Sequence, residues 1–282
     1  METYRKIEHI IHGQPTSDGA GVKLTRIFGH GEQELLDPFL LLDYFGSDNP
    51  DDFMAGFPWH PHRGMETVTY MLDGKVEHSD SMGNSGVIGK GDIQWMTAGS
   101  GIIHQEMPKF EDGRNFGFQL WVNLPASSKM ITPRYQDIPS ARVPVVELEN
   151  GTRVKVLAGS FNGVRGPVES IIADPEYFDV EMPGGAEFVA PVEPGYTVFV
   201  YVYEGSASFG ESGAAELYAG AGAVFGRGNR VKSCSGASGV KFILISGKPI
   251  GESIAWRGPI VMNTEEELAA AFRELREGRF IR

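Results

Sequence analysis

The chain has 282 residues, 41% of them hydrophobic, and its 37 acidic against 25 basic side chains give a formal charge of −12. No apolar run approaches the eighteen or so residues of a membrane span, and no basic run offers phosphates a cationic surface. The sequence therefore predicts neither a membrane protein nor direct contact with nucleic acid. The start, Met1-Glu2-Thr3-Tyr4-Arg5-Lys6, lacks the apolar stretch of a signal peptide, and Cys234 is the single cysteine. Both features predict a cytoplasmic protein and leave a nucleus open.

Short alternating runs separated by turns fill the chain from its first residues. Arg5 to His12 and Val22 to Phe28 alternate with period two. Leu35 to Phe45 is an apolar run broken by Pro38, which suits a buried strand entered through a turn. His9, His12 and His30 pair with no other donor at strand spacing, so they are expected to be surface or structural residues. Thr67 to Leu72 and Lys75 to Asp80 flank Asp73-Gly74, a hairpin signal. Further turns stand at Gly83-Asn84-Ser85-Gly86 and Gly89-Lys90-Gly91-Asp92, and Phe116 to Pro125 supplies another strand. Regular short strands of this kind predict an all-β protein of antiparallel sandwich or barrel type. Residues 125 to 144, rich in proline and poor in periodic apolar positions, mark a boundary. The expected division is a domain over 1–135, a linker over 136–145 and a second domain over 146–282. The last closes with a helix over 264–277, where Thr264 and Glu267 make a capping box and Leu268, Ala271, Phe272 and Leu275 share one face.

Two donor pairs stand out. On a strand, residues two apart share a face, so His60 with His62 and His104 with Glu106 each present two ligands to one side. Three imidazoles and a carboxylate converging inside a barrel suit one divalent first-row metal. Turn spacing also repeats: Gly74 to Gly91 and Gly205 to Gly222 are both seventeen residues apart, and the same offset of 131 places Tyr70 on Tyr201. This reads as an internal duplication. The offset carries His60, His62, His104 and Glu106 onto Pro191, Glu193, Ser235 and Ala237, and no histidine follows His104. The second copy is expected to lack the ligands.

Gly56-x3-His60-x-His62-x3-Glu66 resembles the first motif of the cupins, and Gly91-Asp92 followed by His104 resembles a variant of the second. The wording His60-Pro61-His62-Arg63-Gly64-Met65-Glu66-Thr67-Val68-Thr69-Tyr70, with Gly91 to Glu106, is similar to the pirin family, as are Leu36 to Leu41 and Gly258 to Thr264. That resemblance implies two cupin (jelly-roll) barrels in tandem, facing one another, with iron in the N-terminal one only. Most cupins take the glutamate of the first motif, here Glu66, whereas pirins take the one after the second-motif histidine, here Glu106. Strand parity favours Glu106, with Glu66, Arg63 and Trp95 as supports around the ligands.

The resemblance further implies one Fe(II) per chain, with Ni, Cu, Mn or Zn as alternatives that a nitrogen-rich site also accepts. It implies a quercetin 2,4-dioxygenase-type oxidoreductase acting on a flavonol or similar small aromatic substrate, with Glu106 taking the substrate proton. The alternative it implies is an iron-dependent regulatory protein without enzymatic activity, whose partner is a transcription factor or metabolic enzyme. A sugar isomerase would need a basic cluster that the sequence lacks.

Overall fold

Alternating runs become strands, and the strands assemble into the same ladder twice. The structure is a computed structural model that describes residues 2–110, 113–169, 171–211 and 215–281. The first half contributes β1 (Ile7–His12), β2 (Gln14–Asp18), β3 (Val22–Phe28), β4 (Phe39–Ser47), β5 (Phe57–His62) and β6 (Met65–Asp73). It continues with β7 (Lys75–Asp80), β8 (Ser85–Ile88), β9 (Ile93–Thr97), β10 (Ile102–Lys109), β11 (Asn115–Asn123) and β12 (Arg134–Ile138). The apolar run at 35–45 divides into a helical turn, Gln33–Leu36, and β4, whose first five residues are buried.

One compact unit comprises residues 14–33, 39–140 and those from 250 onward. Its strands form a seven-stranded sheet in the order β12-β9-β6-β11-β4-β3-β2 and a four-stranded sheet in the order β5-β10-β7-β8. Asp73-Gly74 makes no hairpin, because β6 pairs with β9 and β11 while β7 pairs with β8 and β10. Gly74, at φ 81°, turns the chain from one sheet into the other, and a Cβ there would stand 2.2 Å from the Arg114 carbonyl. A corner and a hairpin both need positive φ, so the dipeptide signals either. The helix, Glu265–Arg276, begins at the expected capping box. Its Leu268 and Ala271 are buried in a cluster with Ala255, Ile260, Met262 and Phe280, and Ile103 packs against it.

The other unit comprises residues through Gly13, 34–38 and 141–249. Here β1 pairs with Ala221–Phe225, and the sheet continues through Thr197–Phe209, Arg230–Gly247, Glu176–Met182, Arg153–Ala158 and Val145–Glu147. This order matches the first sheet strand for strand, with β1 at the edge that β12 holds in the other barrel. The two long strands also carry the equivalent of the four-stranded sheet, through pairing with Glu187–Pro191 and Glu216–Tyr218. The interior is filled by Phe161, Phe178, Phe188, Phe209 and Phe242. These units differ from the contiguous division at 136–145 at both ends of the chain. The backbone of β1 finds its hydrogen-bond partners at 221–225, and the C-terminal helix finds its apolar ones in the 14–140 unit. A linear split follows chain order and misses both exchanges.

The ladders also refine the duplication. In the first barrel His104 faces His60 and Glu106 faces Phe57, with a register shift between. In the second Val231 faces Ala190 and Ser233 faces Phe188. The ligand positions therefore correspond to Ala190, Val192, Val231 and Ser233, not to the residues that a constant offset of 131 selects, because the connections between paired strands differ in length in the two halves. No histidine stands at these positions under either correspondence.

Candidate metal centre

β5 and β10 are antiparallel neighbours, with His60 opposite His104 and His62 opposite Ile102. Gly64 closes β5 at φ 77° and donates its N–H to the Gly99 carbonyl at 2.8 Å. A Cβ at that position would lie 1.9 Å from the Val261 carbonyl, so only glycine fits the bend that aims the histidine pair. One ligand atom from each of His60, His62 and His104 lies within 4.8 Å of the others. Their ring centroids are 4.4 to 5.0 Å apart.

The ring nitrogens divide cleanly. His60 Nδ1 sits 2.9 Å from the Pro58 carbonyl; a carbonyl only accepts, so Nδ1 carries the proton and Nε2 keeps its lone pair. His104 Nδ1 meets the Tyr135 hydroxyl at 3.3 Å, and its Nε2 is buried without a partner, as is Nδ1 of His62. Burial, reinforced by the neighbouring imidazoles, pushes His62 and His104 well below the usual histidine range. Both are therefore neutral at physiological pH, the form that ligates. Buried nitrogens that lack hydrogen bonds and point to a common centre fit a divalent metal ion.

Glu106 lies two residues beyond His104 on β10, which runs regularly against β7 at this point, so both face the same side. The carboxylate is nearly buried, and the Thr69 hydroxyl donates to its Oε1 at 3.0 Å. Gln119 Oε1 stands 2.8 Å from the same hydroxyl. A hydroxyl has one proton. Both contacts are satisfied only if the Gln119 amide turns its N–H₂ toward Thr69, which then donates to Glu106.

Glu66 faces the opposite way. It is three residues before Thr69 on an unbroken stretch of β6, so it points to the other face of the sheet. There it accepts from the Thr97 hydroxyl at 2.7 Å, and burial raises its pKa. Trp95 is buried on that same side, two residues from Thr97 on β9. Arg63 donates to the Ser100 and Phe280 carbonyls and to Glu274, at 2.7 to 2.8 Å, and ties the C-terminal segment to the barrel. None of these three expected supports lines the cavity.

That cavity, about 520 Å³, is bordered by His60, His62, Thr69, Glu106 and Gln119. Trp121 meets His62 edge-on at 5.2 Å, Trp256 lies 6.2 Å from Trp121, and His30 stacks on Trp256 at 3.7 Å. Register sets a row across the sheet, Arg26, Asp43, Gln119 and Thr69, which ends at Glu106. Arg26 and Asp43 are joined by two hydrogen bonds. His30, expected to be merely surface or structural, is thus part of the wall. Gln119, Trp121, Tyr135 and Trp256 carry no motif, and only the order of strands could reveal them; Thr69 stands within the His60 to Tyr70 wording, but its bond to Glu106 follows only from the fold.

Two antiparallel barrels of one ladder, one with a three-histidine centre beside a ligand-sized cavity and one packed solid with phenylalanine, define a bicupin. The Pirin family model matches residues 21–122 and the Pirin C-terminal cupin domain model matches residues 177–281. The chain is 46% identical to a pirin-like protein of Caulobacter vibrioides over 277 residues, covering 98% of this chain and 99% of that one. It is 37% identical to pirin of Rattus norvegicus, over 99% of this chain and 94% of that one. The crystal structure of quercetin 2,3-dioxygenase from Acinetobacter baumannii superposes with a TM-score of 0.91 at 33% identity, covering 99% of both chains. This chain belongs to the pirin family. No helix among the described residues is long and apolar enough to cross a membrane.

Proposed function

We propose that this chain is a metal-dependent dioxygenase that opens flavonol-type substrates with loss of carbon monoxide, with His60, His62, His104 and Glu106 as metal ligands and Fe(II) as the metal. The reading rests on one observation: buried imidazole nitrogens without partners converge beside a cavity of the volume that small-molecule sites occupy. The likeness to a quercetin 2,3-dioxygenase structure supports the substrate class.

A bound divalent ion would supply Lewis acidity toward an enol hydroxyl and redox capacity toward dioxygen. The chain supplies the rest. Trp121, Trp256 and Phe57 offer flat apolar surface to an aromatic substrate and keep water from it. Glu106, its Oε1 engaged by Thr69, would offer Oε2 to the ion at rest and to the proton of the substrate hydroxyl once substrate binds. Neutral His62 and His104 hold no proton that would compete with the ion.

The test is oxygen consumption and carbon monoxide release with quercetin, using protein loaded anaerobically with Fe(II), beside His62→Ala and Glu106→Ala. Turnover that disappears in both variants is the expected result. Absence of turnover in wild type carrying one metal per chain would refute the enzymatic reading and favour an iron-dependent partner-binding protein.

A further inference from the structure

The imidazoles of the centre are not held alike. His60 Nδ1 faces a backbone carbonyl at 2.9 Å, whereas His104 Nδ1 faces the Tyr135 hydroxyl at 3.3 Å. Nε2 of His104 is the buried nitrogen without a partner, so it is the one left to hold an ion. Nδ1 then carries the ring proton and donates it to the phenol oxygen. Tyr135 comes from β12, the edge strand, and contacts of its own fix it there. Its ring stacks on His78, with centroids 5.7 Å apart and planes at 15°, and packs against the buried Met96, Ala98 and Ile102. Two residues on, along the same face of β12, Asp137 Oδ2 lies 3.1 Å from His78 Nε2, and Gln94 donates to the other carboxylate oxygen at 3.1 Å. His78 is itself buried, and a Cβ on Gly86 would stand 2.6 Å from its Nε2, so glycine there makes room for the ring.

An acceptor on the far N–H of a ligating imidazole fixes the ring and makes it a stronger donor. A stronger donor favours the more highly charged state of an ion. We infer that Tyr135 is a positioning residue that sets the Fe(III)/Fe(II) potential of the centre through His104, holding it lower than the ligands alone would. The inference rests on the metal ligands proposed above and requires no particular substrate.

Tyr135→Phe deletes the acceptor and keeps the ring that packs on His78. Iron-loaded wild type and variant are titrated anaerobically with redox mediators, and the high-spin Fe(III) signal is followed by electron paramagnetic resonance. The potential belongs to the iron-bound molecules, so partial loading does not shift it. Fe(II) affinity, read by chelator competition, should fall about tenfold, the lower end of the loss typical of a partner that orients a ligand. Fe(III) affinity should fall about tenfold further, which raises the one-electron potential by about 59 mV. A change of packing alone would weaken both states alike and leave the potential in place. An unchanged or lowered potential, or a variant that holds no iron, overturns the inference while the ligand assignment stands. Wild type that holds no iron overturns both.

Discussion

Replacing Thr69 by valine tests whether Glu106 is a placed ligand. Valine keeps the β-branched shape, so the barrel wall is preserved and only the hydroxyl is lost. The hydroxyl donates to Glu106 Oε1 at 3.0 Å in a site where Thr69 is 3% exposed. A hydrogen bond to a charged group contributes about 1.5–3 kcal/mol, which corresponds to roughly 10- to 150-fold in an equilibrium constant. If that bond fixes the carboxylate for the ion, metal affinity should fall by about that factor, in line with the loss typical of groups that orient ligands. Thr69→Ser restores the hydroxyl and should recover most of the affinity. The assay is competition for Fe(II) between apoprotein and a chromophoric chelator. Unchanged affinity in Thr69→Val, with a large loss in Glu106→Ala, would show that the carboxylate needs no such support and refute the reasoning.

Glu106→Ala should lose metal affinity in the same assay while Glu66→Ala keeps it, and the reverse pattern would overturn the strand-parity argument. Arg63→Ala removes a buried guanidinium and leaves Glu274 and two carbonyls short of a donor, so urea unfolding should show a loss of about 3 kcal/mol; a loss below about 0.5 kcal/mol, the size of an ordinary surface substitution, would contradict the clamp. Lys129, buried with its Nζ on Asn123 Oδ1 and the Gly64 carbonyl, is pushed down to about 7 by desolvation. Its unfolded value is about 10.4, so between the two the unfolded chain binds more protons and stability rises with pH, by at most about 1.4 kcal/mol per unit. Lys129→Met should flatten that rise between pH 7 and 9, and parallel stability curves would exclude it.

How much of this was legible depended on whether a feature was local in the chain. His60, His62 and His104, which the structure brings together, and the place of Glu106 on the face of His104 are legible because a strand puts alternate residues on one face, and the helix announces itself through Thr264 and Glu267. Strand parity applied to β6 also separates Glu66 from Thr69. The rest of the site is assembled across strands: Arg26, Asp43, Gln119 and Thr69 form a row only because β3, β4, β11 and β6 are neighbours in that order. Trp256 reaches the cavity from the C-terminal segment, and β1 leaves its own half of the sequence to complete the second sheet. Pairing of that range is written in the sum of many weak backbone and packing preferences, and no short motif encodes it.

The two ladders explain what separates a site from a core on one fold. Each offers the same inward positions on the same strands, and the first fills them with imidazoles whose buried nitrogens go unpaired in the protein, an arrangement that costs stability until an ion or ligand satisfies it. The second places Ala190, Val192 and Val231 there and closes the interior with Phe161, Phe188, Phe209 and Phe242. Histidines placed at 190, 192 and 231 would not create a comparable site, because aromatic rings fill the interior where the first barrel has a cavity lined by Trp121 and Trp256. The donor positions and the space beside them thus differ together between the barrels: the second is packed core, and the first keeps a cavity beside its three histidines.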